Sequence, residues 1–261
     1  MVEKVTGATF HRFLTSGRTS PMLATCLTHG NEDVDVVVKL NGAMDLGARS
    51  AAFELIGSLI ATRLGIDCPR SYLVWLSSEL MQAVSAYEPS RSVQLSNSVG
   101  WNFGSEMLKD AIIWAKAAPI AASMQTEALA IFSFDGLIQN VDRQANNPNL
   151  LVRGDRLTVI DHECAFSFLT AIIRSSKPWN MGHGDYMERH ALAHALRGEK
   201  LDWRGCMNAI SCLTGEFFDS VNDALPPEWN AVQDLAIIKQ HITTVLDHTE
   251  AFEVELQRRI A

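Results

Sequence analysis

Two aspartates, Asp142 and Asp161, bracket a stretch, NVDRQANNPNLLVRGDRLTVIDHECAF (140–166), that also carries Asn146, Asn147 and Asn149. Carboxylates and amide carbonyls are hard oxygen donors, the set Mg²⁺ prefers when water and phosphate oxygens complete its octahedron. NLLV and RLTVI flank RGD, so the segment reads as an antiparallel hairpin centred near Gly154. Pairing about that centre sets position 161 opposite position 148. Asn147 and Asp161 then arrive side by side, although fourteen residues separate them in the chain. Asp142 lies five residues before Asn147, just past a helix expected over 124–140. A carboxylate there can face the two ligands without joining them, the position from which a base orients an attacking hydroxyl.

The chemistry this spacing points to is phosphoryl transfer. Asp-x4-Asn, with a second aspartate nineteen residues beyond the first, recurs in kinase-type sites. Asn, Asp and Gly also cluster in turns for local reasons, and an aspartate at a strand end can cap the next segment. Each residue alone reads as a turn residue. Helix, Asp142, Asn147, hairpin and Asp161 in that order read as a metal–nucleotide site.

Lys39 ends a valine-rich run, DVDVVVKL (33–40), that is expected to be a strand. An ammonium there is costly to bury without a partner. Glu54 is the one acid in the helix expected over 48–64, beside the small residues Gly57, Ser58 and Ala61. The alternative is a strand-end lysine that reaches back to water and a solvated helix glutamate; beside the hairpin residues, an ion pair is the better reading. SGRTSP (16–21) is a candidate phosphate-covering turn, in which backbone N–H groups around Gly17, Thr19 and Ser20 form an anion-binding nest. Such strings also serve as ordinary turns.

These residues need elements to hold them. GARSAAFELIGSLIATRLG (47–65) has helical spacing with Gly65 as its cap, and RSYLVWL (70–76) reads as a second strand entered through Pro69. YEPSRSVQLSNSVG (87–100) reads as a loop between lobes. Beyond residue 105 the chain is expected to be mainly helical apart from the hairpin, with amphipathic helices over DYMERHALAHALRG and LAIIKQHITTVLDHTEAFEVELQRRI. The resulting expectation is an α+β, two-lobed architecture: a small mixed N-lobe over 1–87, with a short antiparallel sheet and one helix, and a larger, mainly helical C-lobe over 88–261 that carries the hairpin.

Composition narrows the partners. The 261 residues are 47% hydrophobic and 20% charged, ordinary for a globular protein that can bury a core. Net charge is −8, with 7 basic and 8 acidic groups in residues 1–85 and 15 and 22 in residues 86–261. A basic footprint for nucleic acid and a polybasic patch for a membrane surface are both missing. No apolar run approaches a membrane span, the start lacks a signal-peptide core, and the five cysteines are odd in number and never in C-x-x-C spacing. A cytoplasmic protein with reduced thiols is expected. His190 and His194 have metal-ligand spacing, but H-A-L-A-H offers no glutamate base beside the first histidine, so they read as an exposed or half-buried helix pair. The glycine-rich MGHGDY (181–186) precedes no phosphate site, and the six tryptophans are dispersed, which suits packing more than a stacking platform.

FDGLIQNVDRQANNPNLLVRGDRLTVIDHECAF resembles the catalytic segment of the HipA-like kinase family, its compact members most, and type II phosphatidylinositol 4-kinases more distantly. The resemblance extends to ARSAAFELIGSLIATRLGIDCP (48–69), GWNFGSEML (100–108) and GRTSPMLATCL (17–27), which together take in most of residues 15–170. It implies that Asp142 is the catalytic base, that Asn147 and Asp161 bind Mg²⁺, and that Lys39 contacts the ATP phosphates with Glu54 as its partner. It also implies Ser20 or Thr19 as a site of self-phosphorylation. The chain is expected to lack the N-terminal subdomain of the full-length HipA toxins, so their partners do not carry over. It also lacks the G-x-G-x-x-G, H-R-D and D-F-G strings of ordinary protein kinases. The reading is an ATP- and Mg²⁺-dependent kinase acting on a protein serine or threonine. The alternatives are an ATP-binding module that has lost transfer and works through protein contacts, and a lipid kinase, which the acidic C-terminal part disfavours.

Overall fold

The computed structural model describes residues 2–15, 19–115, 118–171, 175–181 and 185–261. Two compact units emerge, Met1–Leu55 with Pro69–Lys109 and Asp223–Ala231, and Ile56–Cys68 with Asp110–Asn222 and Val232–Ala261. The first is sheet-rich and the second mainly helical, so the chain is α+β.

In the first unit, β1 (Glu3–Phe13), β2 (Met22–Leu27), β3 (Asp33–Lys39), β4 (Ser71–Leu76) and β5 (Gly100–Glu106) close a barrel in the order β1-β2-β3-β5-β4. Successive strand side chains point to opposite faces. Accordingly Met22, Ala24 and Cys26 of β2, Val36 and Val38 of β3, and Tyr72, Val74 and Leu76 of β4 fill the interior. Gly104 on β5 allows the strands to close: a Cβ there would lie 2.6 Å from both Val36 Cγ1 and Val74 Cγ2.

The sequence reading expected a short antiparallel sheet with one helix. Instead the strands close on themselves, and the closing pair, β1 with β4, is parallel. Closure leaves no unpaired edge, but β1 buries only Val5 among its eleven residues, so local patterning hides its place. The segment expected as a loop over 87–100 holds a 3₁₀ turn, Pro89–Arg91, and a short helix, α3 (Ser92–Ser96), after α2 (Ser78–Tyr87). Three of the dispersed tryptophans also meet here: Trp75 and Trp101 ring centroids lie 5.2 Å apart, and Trp229 Nε1 donates to Trp101 O at 3.1 Å.

Helix α1 (Ala48–Arg63) begins in the first unit and ends in the second. Gly65, at φ +74°, stops it, with Gly65 N donating to Thr62 O at 3.1 Å and Ile66 N to Ala61 O at 3.0 Å. That double return is a Schellman ending, which favours glycine because its φ is positive.

The second unit is built around α4 (Gln125–Ile138), buried at every position from Ala128 to Ile138 except Ala130. A three-stranded sheet, β6 (Ile112–Ile113), β7 (Leu150–Arg153) and β8 (Arg156–Val159), follows the order β6-β7-β8. The hairpin ladder pairs Leu150 with Val159 and Arg153 with Arg156, and Gly154 takes φ +65° in the turn. Helices α5 (Ala193–Leu196), α6 (Trp203–Ile210), α7 (Gly215–Ala224, whose end enters the first unit), α8 (Val232–Leu246) and α9 (Thr249–Arg259) complete the chain. No disulfide is formed among the described residues. Among the described residues, no helix is long and apolar enough to cross a membrane.

Candidate active site

In the first unit, β3 delivers Lys39 and α1 delivers Glu54, and the two form an ion pair with side chains 12% and 1% exposed. The turn after Lys39 is held from β5: Asn41 N donates to Asn102 Oδ1 at 2.9 Å, and Asn41 Nδ2 to Trp101 O at 2.8 Å. Asn102 is fully buried and was not singled out in the sequence. The candidate phosphate turn joins β1 to β2, closed by Leu14 N donating to Pro21 O at 2.8 Å. Thr19 and Ser20 are half-buried in it, Ser20 at φ +45°, while Gly17 lies outside the described residues.

In the second unit, α4 ends at Gln139, which takes φ +49°, and the chain turns toward Asp142. Asp142 Oδ2 accepts from Asn147 Nδ2 at 2.8 Å and from Asn149 Nδ2 at 3.0 Å. An ionised carboxylate only accepts, so each amide must present its nitrogen. The carbonyl oxygen of Asn147 is thereby left for another ligand. A tight turn sets Asn147, with Gln144 N donating to Asn147 O at 3.1 Å and Asn147 N to Gln144 O at 3.0 Å.

Asp161 follows β8 by two residues and takes φ +62°, an uncommon conformation for a residue with a Cβ. Asp161 and Glu163 bring carboxylate oxygens within 4.8 Å of each other. The grouped carboxylates are oxygen donors, a type that fits Mg²⁺ better than a softer metal. Between the acids, His162 turns inward: Ser58 Oγ lies 3.4 Å from its Nδ1, and a Cβ on Gly57 would come within 2.6 Å of its Cβ. Gly57, one of the small residues beside Glu54 on α1, makes room for His162.

The site has a buried frame that the sequence reading missed. Asp135, on α4, accepts from Arg143 Nε at 2.6 Å and His190 Nε2 at 2.9 Å on Oδ2, and from Asn140 Nδ2 at 3.0 Å on Oδ1. Burial pushes the Asp135 carboxyl up, but Arg143 and His190 outweigh it and hold it below the ordinary range. His190 is therefore not half of an exposed helix pair. It is buried, and only Ala193–Leu196 of the expected helix forms. The available signal was an aspartate inside the apolar run FSFDGLI. A cavity of about 430 Å³ is lined by Gln139 and Val141, directly before Asp142, and by Phe168, Tyr186 and His241 among others.

The family model for HipA-like kinases matches residues 9–258. The chain belongs to the HipA-like kinase family. A structure of the Helicobacter pylori proinflammatory kinase CtkA is similar to this HipA-like kinase, with a TM-score of 0.50 at 10% identity. The alignment covers 100% of this chain and 98% of that one, a likeness of fold. No match to this HipA-like kinase was found among curated proteins.

Proposed function

We propose that the chain binds ATP with Mg²⁺ and transfers the γ-phosphate to a serine or threonine hydroxyl of a protein, itself included. The observation that carries this reading is a pair of oxygen clusters at the root of one hairpin. Asp142 is held by Asn147 and Asn149 before β7, and Asp161 stands with Glu163 after β8. Asp142 is the base that orients the acceptor hydroxyl and accepts its proton as attack proceeds. Asn147, through its carbonyl oxygen, and Asp161 would hold Mg²⁺, with Glu163 a further donor. When bound, the metal neutralises phosphate charge as the γ-phosphoryl group leaves. Lys39 contacts the ATP phosphates, and Glu54 orients its ammonium. The turn that carries Thr19 and Ser20 covers the phosphates with backbone N–H groups, and Thr19 or Ser20 is the acceptor in self-phosphorylation. The barrel unit is read as the small lobe of a kinase and the helical unit as the large one.

The test is incubation with γ-labelled ATP and Mg²⁺, alone and with cell lysate. Label on serine or threonine of the chain or of a lysate protein is expected. Binding of ATP without transfer supports the binding-module reading instead, and neither binding nor transfer overturns both.

A further inference from the structure

Arg143 directly follows Asp142, yet its side chain is 0% exposed. Its Nη1 donates to two main-chain carbonyls, Asn149 O and, at 3.0 Å, Ile160 O. These residues face each other, since Ile160 N donates to Asn149 O at 3.1 Å. One nitrogen therefore spans the open end of the hairpin, just outside β7 and β8. Ile160 precedes Asp161, and Asn149 is itself a donor to Asp142.

The guanidinium is anchored from behind. Asp135 accepts its Nε, and Asn140, held by the same carboxylate, accepts Asp142 N on its Oδ1 at 3.2 Å. His190 Nδ1 accepts from Leu192 N at 3.1 Å, so the ring proton sits on Nε2 and points at Asp135. The main chain adds further ties: Ala191 N donates to Arg143 O at 3.0 Å, and Ala145 N to Arg189 O at 3.2 Å.

Stability alone is a weak reason for this arrangement. A buried ion pair is seldom better than apolar side chains of the same volume. Arg143 Nη2 also meets no acceptor among the described residues. What the guanidinium does supply is a fixed separation between the segment carrying Asp142 and the carbonyl that leads into Asp161.

We propose that Arg143, anchored by Asp135 and His190, is a positioning residue that holds Asp142 and Asp161 in register for transfer. The inference rests on the roles given above to those two aspartates.

The full chain is compared with Arg143→Lys, which keeps the charge but loses the planar fork, and with Asp135→Asn, which frees the fork from its anchor. Three readouts are taken: affinity for a fluorescent ATP analogue with Mg²⁺, the rate of label transfer from ATP, and amide hydrogen exchange at 159–163. Arg143→Lys is expected to bind the analogue within about threefold of wild type and to transfer about a hundredfold more slowly, the cost of an ångström-scale misplacement. Amides at 159–163 should exchange about tenfold faster, with those of α4 unchanged. Asp135→Asn should do the same to a smaller degree, and supplies the comparison if the lysine variant fails to fold. Transfer within about threefold of wild type in both variants, or a loss no larger than the unfolded fraction, overturns the proposal. If wild type neither binds nor transfers, the kinase reading fails. The positioning role in transfer fails with it, and exchange at 159–163 then tests only whether Arg143 holds the hairpin root: unchanged exchange overturns that as well.

Discussion

Lys39 on β3 and Glu54 on α1 meet as a part-buried ion pair across fifteen residues of sequence. If the lysine is the phosphate contact and the glutamate its support, the two should fail differently. Lys39→Ala should weaken ATP affinity, whereas Glu54→Ala should slow turnover with less effect on binding. Residues in one pair couple by about 0.5–3 kcal/mol. A double variant no worse than Lys39→Ala in transfer rate is the expected result, and strictly additive losses would count against the pairing.

Asp161 and Glu163, with carboxylate oxygens within 4.8 Å, predict that nucleotide binding depends on Mg²⁺. A ligand at a hundred times its dissociation constant stabilises a protein by about 2.7 kcal/mol, which a melting curve registers. Wild type should melt higher with ATP and Mg²⁺ than with ATP and a chelator. Asp161→Asn should lose most of that shift, and Glu163→Gln part of it. An equal shift in Asp161→Asn means that the metal, if bound, sits elsewhere.

The β7–β8 ladder was legible because its signals are local. β-branched runs on either side of Gly154 set the ladder, and Gly65 ends α1 through two bonds to its own last turn. The frame behind the hairpin was not legible, because it is a long-range fact. Asp135 finds His190 across fifty-five residues, and that bond draws the histidine into the core against the helical spacing of H-A-L-A-H. The same holds for β1, whose eleven residues carry one buried side chain, and whose place is set by parallel pairing with β4. Local patterning reports which residues can do chemistry; the contacts that hold them still are made by elements distant in the chain.

His241 stacks on Phe168 with ring centroids 3.8 Å apart, and burial pushes its pKa down to about 4. The unfolded chain takes up a proton near pH 6.5, so the neutral ring stabilises the fold above that pH. The benefit is lost progressively as pH falls from 6.5 toward 4. At about 1.4 kcal/mol per pKa unit, the loss is at most about 3 kcal/mol. His241→Phe should therefore show a flatter decline in urea midpoint between pH 6.5 and 4 than wild type. Parallel declines would mean that His241 does not contribute to acid sensitivity.

In the proposed mechanism Asp142 is the base. Its Oδ2 is fixed by Asn147 and Asn149, which leaves the carboxylate aimed by its neighbours. A base that acts as the hydroxyl attacks contributes to the transition state and little to ATP affinity. Asp142→Ala should be stabilised by ATP and Mg²⁺ about as well as wild type, yet transfer roughly a hundredfold to ten-thousandfold more slowly. Asp142→Asn keeps an oxygen for the two asparagine donors, so it separates the loss of the base from a collapsed loop, and it should be as slow. Mass spectrometry after incubation with ATP should find phosphate on Thr19, Ser20 or an added substrate with wild type alone. Absence of transfer in every protein despite ATP binding favours a nucleotide-binding module. Equal transfer by all three would reduce Asp142 to a turn residue, and the mechanism proposed for this site would have to be given up.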